Sequence, residues 1–471
     1  MAINEPIPFE ILSRIFELYR DLNASPQADD TSDADHQSSE HVDTWDCLWQ
    51  DISDHSKGPW LLSRVCSRWR SVAISSPALW SSFCISGIPH TEAFETWIDR
   101  CGEHNLTFRI PARLVSDARG ESIIRTLSRI AERWEEVELI DSSRRFWDHA
   151  NDCGFGEVGA RLSSLRHVSL LCTRELHLEG GFTHVTHAPL LRSVVHEDHM
   201  ELGCYIFPWA QITEYNGYDN NSARQHFNLI SRMINLERCL LELSRTTGSS
   251  TKESGREPGS SSSTFPRVIS AVALQKLHTL RIRCFTHDPF LFLVLYGQLR
   301  FPSLKNLCLV YGRLSIPFDA NGFMSILEAS ECSLSNVELS GMVSCHPAYV
   351  EFFLRMSATK SVAALRLWVT ISHQSRTHPS IHDIVIPLLT DLTCLPRLST
   401  LEFVIPEHGT SFAVDLVALA KAVRMRKEHE SPIKTLRIVH PWGSLGDEHS
   451  LPPILEVLQE EGLDVVIDFD G

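Results

Sequence analysis

The chain has 471 residues, 43% of them hydrophobic, so it is long enough for two domains or a repeat array with a large core. Its 43 Lys and Arg residues against 59 Asp and Glu give a net charge of −16, which argues against a general nucleic-acid or anionic-membrane binder. The 13 cysteines are scattered without a Cys-x-x-Cys pair, so we expect reduced thiols in a cytosolic or nuclear protein rather than a disulfide framework or a zinc finger.

The first predicted element is an amphipathic helix over residues 6–20, PIPFEILSRIFELYR. Its position is marked by Pro8, which suits the first turn of a helix. The apolar residues that recur at helical spacing are Ile7, Ile11, Ile15 and Leu18, with Leu12 and Phe16 beside them. This pattern predicts a helix that buries one side and leaves the other accessible.

An acidic segment follows this helix. Residues 21–57 hold ten Asp or Glu residues against the single Lys57, together with many serines. Such a composition cannot bury enough apolar surface to fold by itself, so we expect a solvated acidic loop.

The stretch GPWLLSRVCSRWRSVAISSPALWSSF, residues 58–83, predicts two further helices. The apolar face of the first would contain Leu62, Val65, Cys66, Trp69, Val72 and Ala73. Ser76 followed by Pro77 is typical of a helix start, and the apolar side of that last short helix would contain Leu79, Trp80 and Phe83. Arg64, Arg68 and Arg70 would form a solvated face or pair with an acidic partner. Three short helices of this kind predict a small N-terminal bundle with part of its apolar surface exposed.

Beyond residue 130 a motif of the form L-x-x-L-x-L returns at intervals of 21 to 41 residues. Its copies are WEEVEL (134–139), LRHVSL (165–170), LRSVVH (191–196), ITEYNG (212–217), LERCLL (236–241), LHTLRI (277–282), LKNLCL (304–309), LSNVEL (334–339), VAALRL (362–367), LSTLEF (398–403) and IKTLRI (433–438). This pattern is typical of a leucine-rich-repeat solenoid, in which each motif supplies one short strand. An ordinary α/β domain with similar strands is the alternative.

The predicted fold class is therefore α/β, with a small N-terminal three-helix domain followed by an irregular leucine-rich-repeat solenoid. We place the N-terminal domain at residues 1–87, a linking segment at 88–130 and the repeat domain at 131–471. A low-complexity stretch at 244–265 predicts a flexible insert within the repeats.

Motifs that carry catalytic or cofactor chemistry are missing from the sequence. It contains no phosphate loop, no G-x-G-x-x-G after a strand, no H-E-x-x-H and no G-x-S-x-G, so we expect no cofactor and no enzyme in its own right. One histidine cluster comprises His184, His187, His196 and His199. Its two pairs fall on different predicted elements, which favours surface histidines over metal ligands.

The N-terminal residues resemble an F-box, in the F-box-like form abundant in mushroom-forming fungi. The resemblance rests on IPFEIL (7–12) and LLSRVCSRWRSVAISSPALW (61–80), which cover parts of the first 85 residues or so and occur in the family's order. It implies a substrate receptor that binds the Skp adaptor of a cullin–RING ubiquitin ligase and holds a protein target near a ubiquitin-loaded conjugating enzyme. The apolar anchors for the adaptor would be Pro8, Ile11, Leu12, Ile15, Leu62, Val65 and Trp69.

The repeat geometry also predicts where a target binds. In L-x-x-L-x-L, the residue between the last two apolar positions should point to the exposed face of the strands. Those residues include Arg281, Glu338, Arg366, Glu402 and Arg437, with Cys308 in the same row. Their mixed signs favour a protein target with charges of both signs over nucleic acid. Two other functions remain open: a repeat scaffold that acts without a ligase, and a hydrolase in an α/β domain.

Overall fold

The structure is a computed structural model, and it describes part of the chain. The described residues are 7–24, 51–87, 89–111, 118–140, 151–171, 185, 187–197, 207–219, 226, 229–243, 272–284, 299–311, 320–340, 347–368, 381–404, 415–429, 431–440 and 453–469. The chain divides into two compact units, Met1–Tyr215 and Asn216–Gly471. Residues 25–50 of the predicted acidic loop and the predicted insert 244–265 lie outside the described residues.

The first unit combines helices with the first strands of a parallel sheet. Its helices are α1 (Phe9–Ala24), α2 (Gly58–Val65), α3 (Ser67–Ile74), α4 (Thr91–Cys101) and α5 (Ala118–Arg129). Its strands are β1 (Ser82–Cys84), β2 (Leu106–Pro111), β3 (Trp134–Ile140), β4 (His167–Leu171) and β5 (Ser193–Glu197). The boundary between the units falls within β6 (Glu214–Asp219).

The second unit alternates strands and helices in its C-terminal half. Its strands are β7 (Arg238–Leu243), β8 (Val272–Ala273), β9 (Thr279–Cys284), β10 (Leu299–Arg300), β11 (Asn306–Tyr311), β12 (Asn336–Ser340), β13 (Ala364–Trp368), β14 (Thr400–Val404), β15 (Thr435–His440) and β16 (Asp464–Phe469). Its helices are α6 (Ala320–Ser330), α7 (Pro347–Arg355), α8 (Ile381–Leu388), α9 (Leu416–Glu428) and α10 (Pro453–Glu460). From β11 onward, each connection between neighbouring strands contains one of these helices, and each helix packs against the next.

The strands follow one another in chain order. Fourteen of them are ordered β1-β2-β3-β4-β5-β6-β7-β9-β11-β12-β13-β14-β15-β16, while β8 and β10 form a separate two-stranded sheet. The paired strands whose register is resolved run parallel, as in Leu307↔Val337 and Val337↔Leu365. Parallel pairing of consecutive strands requires a crossover after each strand, and the helices of the second unit supply it.

Each of the eleven repeated motifs contains one of these strands. A regular backbone pattern joins them: the carbonyl oxygen of Lys305 accepts from the N–H groups of Ser335 and Asn336, at 2.7 and 3.0 Å. The carbonyl of Ser335 does the same for the next strand, with Ala363 and Ala364. Alternate apolar positions of the strands are buried, because period-two alternation places them on one face of the sheet.

The predicted fold class is wrong at the N-terminus. We expected an independent three-helix domain, but the residues after α3 form a single 3₁₀ turn, Pro77–Leu79, and then strand β1. Strand β1 pairs with β2 in the register Phe83↔Phe108, and the backbone of Asp51 forms a bridge with Cys84. The residues after α3 therefore form the first strand of a fourteen-stranded parallel sheet and not the third helix of a separate helical domain.

The predicted helix whose apolar face would run from Leu62 to Ala73 is also divided. Cys66 adopts an extended conformation between α2 and α3, with φ −157° and ψ 171°, and its Sγ accepts from the N–H of Trp69 at 3.4 Å. A sulfur acceptor at this position acts as the N-cap of α3, in the place where oxygen side chains are usual. Apolar periodicity alone does not reveal such a break.

A continuous aromatic cluster explains why these helices and strands fold together. Trp80 contacts both Trp60 on α2 and Trp97 on α4, with ring centroids 5.2 and 5.0 Å apart. The Trp97 indole N–H donates to the carbonyl of Trp80 at 2.5 Å. Phe83 stacks on Phe108 of β2 at 5.7 Å, and Phe108 contacts Trp134 of β3 at 5.0 Å. Residues that we read as one side of a short helix are thus core residues shared with the sheet.

Candidate protein-binding surfaces

Helix α1 exposes one apolar side and buries the other. Ile11, Ile15 and Leu18, at i, i+4 and i+7, are exposed, with Ile11 at 53%. The neighbouring positions Leu12 and Phe16 are buried, and the Phe16 ring contacts Trp69 on α3 at 5.0 Å. The helix is therefore anchored on one side and leaves an apolar stripe accessible on the other.

Helix α2 exposes two further apolar residues. Leu61 and Val65, one helical turn apart, are exposed, with Val65 at 54%. Leu62, between them in sequence, is buried. We call the exposed apolar residues of this region the N-terminal apolar surface; they are Ile7, Pro8, Phe9, Ile11, Ile15, Leu18, Leu61 and Val65.

The predicted adaptor anchors divide into two groups. Pro8, Ile11, Ile15 and Val65 are exposed. Leu12 and Leu62 are buried, and Trp69 is half-buried against Phe16, so these three support the helices from within. Sequence reasoning did not select Phe9 or Leu18 as anchors, although the i, i+4, i+7 spacing from Ile11 would have indicated Leu18.

Polar contacts fix the position of α1 and α2. The hydroxyl groups of Ser13 and Ser76 lie 2.9 Å apart, and Arg68 donates to the carbonyl oxygen of Ile7. Arg64 donates to the carbonyl of His55 at 3.1 Å, and Arg70 donates to that of Ser63 at 2.8 Å. Arg64, Arg68 and Arg70 are thus exposed, and each also donates a hydrogen bond to a backbone carbonyl oxygen.

The predicted target-binding residues lie in one row of the second unit. Register pairs join Arg281 to Cys308, Cys308 to Glu338, Glu338 to Arg366, Arg366 to Glu402 and Glu402 to Arg437. The alternate residues of the same strands are the buried apolar ones, so this row is on the sheet face opposite the core. We call these six residues the charged row.

Ion pairs run along the charged row. Arg366 Nε lies 3.0 Å from Glu402 Oε1, and Arg281 Nη2 lies 3.8 Å from Glu338 Oε1. The second pair reaches across the intervening strand, where the row holds only the small side chain of Cys308. Burial raises the pKa of the Cys308 thiol to about 12, so this residue stays protonated beneath the pair.

Trp368 joins the charged row from two positions further along β13. Its indole N–H donates to Glu338 Oε1 at 2.7 Å, and the Arg366 guanidinium carbon lies 5.7 Å from the centroid of its ring. The indole is therefore oriented by a carboxylate on one neighbouring strand and a cation on its own strand. Sequence reasoning missed Trp368, because its partner Glu338 lies in the preceding repeat.

A related row in the first unit is less accessible. Arg109 Nε lies 3.7 Å from Glu138 Oε2, and their register pair is flanked by Cys84 and Ser169. Arg109 and Ser169 are buried. Burial raises the pKa of the Glu138 carboxyl, while Arg109 opposes this rise. Of these two rows, the charged row of the second unit is therefore the one that is accessible to a large partner.

No metal site is found where the structure can be described. No cluster of three or more His, Cys, Asp or Glu side chains among the described residues is arranged to hold a metal ion. Of the predicted histidine cluster, His187 is exposed and His196 is buried in β5. His184 and His199 lie outside the described residues.

Comparison with known proteins leaves the chain without an assigned family. It matches no protein-family model and none of the curated proteins. Within the described ranges, every helix is too short or too polar to cross a membrane. The function proposed below is therefore argued from the N-terminal apolar surface and the charged row.

Proposed function

We propose that this chain is the substrate-recognition subunit of a cullin–RING ubiquitin ligase. The N-terminal apolar surface would bind the Skp adaptor, and the charged row would bind a protein target. The chain itself would be non-catalytic, because the assembly accelerates ubiquitin transfer by holding the target close to the charged conjugating enzyme. This role places the protein in the cytosol or the nucleus.

One observation carries the adaptor half of the proposal: large apolar side chains are exposed on both α1 and α2, which each pack against α3. Ile11 on α1, and Leu61 and Val65 on α2, lie within the segments that resemble an F-box in sequence, and Ile15 lies one helical turn after Ile11. An exposed cluster of large apolar residues is typical of a protein-binding surface. In this proposal the adaptor binds helices that are built onto a sheet, not onto an independent helical bundle.

The target half of the proposal rests on the charged row. Its charged side chains alternate in sign from Glu338 to Arg437, which favours a partner of matching charge pattern and disfavours a uniformly charged polymer. The net charge of −16 also opposes nucleic acid and an anionic membrane as partners. We therefore expect a protein target.

A pull-down with purified Skp adaptor tests the proposal. The double variant Ile11→Asp with Val65→Asp changes two exposed residues, whereas a change at the buried Leu62 would test folding instead. Burial of each side chain contributes about 1.5–3 kcal/mol, so we expect the double variant to bind at least roughly tenfold more weakly.

The matched control is Val417→Asp, a change of the same type at an exposed position on α9 of the second unit. It should bind the adaptor like wild type. If wild type does not bind the adaptor, the chain is not a ligase receptor, and a scaffold that binds partners without a ligase becomes the better description.

A further inference from the structure

Arg366 is held in one orientation by two neighbours. Its Nε lies 3.0 Å from Glu402 Oε1, and its guanidinium carbon lies 5.7 Å from the centroid of the Trp368 ring. Trp368 is itself fixed by its hydrogen bond to Glu338. Because both contacts are already made, a ligand of Arg366 would not have to order this side chain, which favours binding.

The outer end of the Arg366 guanidinium remains available. Its ion pair with Glu402 involves Nε, and its guanidinium carbon lies over the Trp368 ring. Among the described residues, Nη1 and Nη2 of Arg366 donate no hydrogen bond. These two nitrogens form the fork with which arginine binds a carboxylate or a phosphate through two parallel hydrogen bonds.

Two arginines of the charged row, Arg366 and Arg437, are more accessible than its carboxylates, whereas Arg281 is 19% exposed and lies about as deep as they do. The side chain of Arg366 is 31% exposed, compared with 15% for Glu402 and 17% for Glu338. Arg437, the register neighbour of Glu402, is exposed. The carboxylates therefore lie deeper and are compensated by Arg366, Arg281 and the Trp368 N–H. An approaching partner meets positive charge first, on a chain that is acidic as a whole.

Residues beside Arg366 leave room for a ligand chain. Ala364, two positions earlier on β13, has the smallest side chain of its register row and stands between Asn336 and Thr400. Asn336 is exposed. A peptide segment of a partner that crosses the strands at Ala364 would have the polar side chains of Asn336 and Thr400 on either side. It would also lie next to Nη1 and Nη2 of Arg366.

We propose that the Arg366 fork binds a side-chain carboxylate of an extended acidic segment of the target protein. This inference rests on the proposed function, because it names the chemistry by which the charged row selects its target. The carboxylate accepts from Nη1 and Nη2, while Glu402 and Trp368 keep the guanidinium in place. A phosphorylated side chain would present similar oxygens, so the experiment must separate the two.

The experiment uses the full chain and an immobilised library of ten-residue peptides. The sequences are random except for the fifth position, which is Glu, Gln, Lys or phosphoserine. We expect wild type to favour Glu over Gln by roughly tenfold, since a hydrogen bond to a charged group contributes about 1.5–3 kcal/mol. Arg366→Gln should lose this preference, and Arg366→Lys should keep part of it because lysine retains the charge without the fork.

Arg166→Gln is the matched control: it removes an exposed arginine of the first unit that is also paired with a glutamate. This variant should keep the wild-type preference. No preference for Glu, an unchanged preference in Arg366→Gln, or a stronger preference for phosphoserine would each overturn the proposal. A thermal melt of every variant identifies any that fail to fold. If Arg366→Gln fails to fold, Arg366→Lys takes its place in the comparison with wild type.

The result of the peptide experiment does not depend on whether the chain binds the adaptor. If the adaptor pull-down fails while Glu peptides bind through Arg366, the chain recognises acidic segments outside a ligase. If the adaptor binds and the Glu preference is absent, the ligase function stands and the target-binding chemistry proposed here is wrong.

Discussion

Arg426 Nη1 donates a 2.8 Å hydrogen bond to the carbonyl oxygen of Leu395. The same guanidinium donates to the carbonyls of Leu389, at 2.8 Å, and Cys394. Arg426 belongs to α9 and is fully buried, while its acceptors belong to the turn that leads from α8 into β14. Leu395 has a φ of +49°, which is unfavourable for a residue with a side chain, so this turn needs support.

Replacing Arg426 by Met should lower the apparent free energy of unfolding by about 3 kcal/mol, because at least two buried carbonyl groups lose their donor. Urea unfolding followed by circular dichroism measures the change. Arg424→Gln is the control on the same helix: Arg424 pairs with Glu461 at the surface, where solvent screens the pair, so its loss should destabilise the protein much less. Equal effects of the two variants would show that the buried guanidinium does not stabilise the turn.

Asp391 makes stability depend on pH in the acid range. Hydrogen bonds from the Thr393 hydroxyl and N–H, followed by that from Arg355, lower the pKa of its carboxyl to about 2. The carboxyl of an unfolded chain titrates near pH ~3.9. A depressed pKa contributes stability that is complete above the unfolded value and is lost as the pH falls from about 4 towards 2.

The variant Asp391→Asn should therefore be less stable than wild type at pH 6, and the difference should shrink between about pH 4 and 2. Because a third of the side chain is exposed, we expect a difference of about 1 kcal/mol or less at pH 6. Thermal melts at half-unit pH steps measure it. Glu460→Gln, an exposed change on α10, serves as the control. A difference that stays constant down to pH 2 would contradict the assignment.

Buried thiols should resist alkylation while an exposed one reacts. Burial raises the pKa values of Cys101, Cys239 and Cys308 to about 12, so at pH 8 on the order of one thiol in ten thousand is ionised. Cys66 is exposed. Treatment of the native protein with iodoacetamide, followed by peptide mass spectrometry, should modify Cys66 and spare the other three. Rapid modification of Cys308 would show that the ion pair between Arg281 and Glu338 does not shield it.

The sequence predicted the first helix and the strands of the repeated motifs well and residues 58–83 poorly, for a physical reason. A strand motif such as LKNLCL alternates over a few residues, so its buried face and its register follow from local pattern. Trp80 and Phe83, by contrast, fit a helical face equally well, but Trp80 follows a 3₁₀ turn against Trp97, and Phe83 belongs to strand β1 against Phe108.

The same reasoning applies to the two candidate surfaces. The charged row could be predicted because each residue occupies the same position in its motif. The burial of Leu12 and Leu62 could not, because it depends on which side of α1 and α2 meets the rest of the unit. The orientation of Trp368 depends on Glu338, 30 residues earlier, and no local pattern links them.

The contacts of Phe83 allow a direct test of whether residues 1–87 form an independent domain. If residues 1–87 formed an independent helical domain, they would fold alone. In the structure, Phe83 stacks on Phe108 of β2, and the indole N–H of Trp97 donates to the carbonyl of Trp80, so the segment's core is completed by residues beyond 87. We expect the isolated segment 1–87 to lack a cooperative thermal transition by circular dichroism.

The comparison is the full chain carrying Phe83→Ala. Removing a buried aromatic ring costs about 3–5 kcal/mol, and this loss should destabilise the helices and the first strands together. Hydrogen exchange measured by mass spectrometry should then show faster exchange in α3 and β2 alike. A cooperative melt of the isolated segment, or faster exchange in α3 alone, would restore an independent N-terminal domain. Both results follow from one cause, because the aromatic core that includes Trp80 and Phe83 is shared between the helices and the sheet.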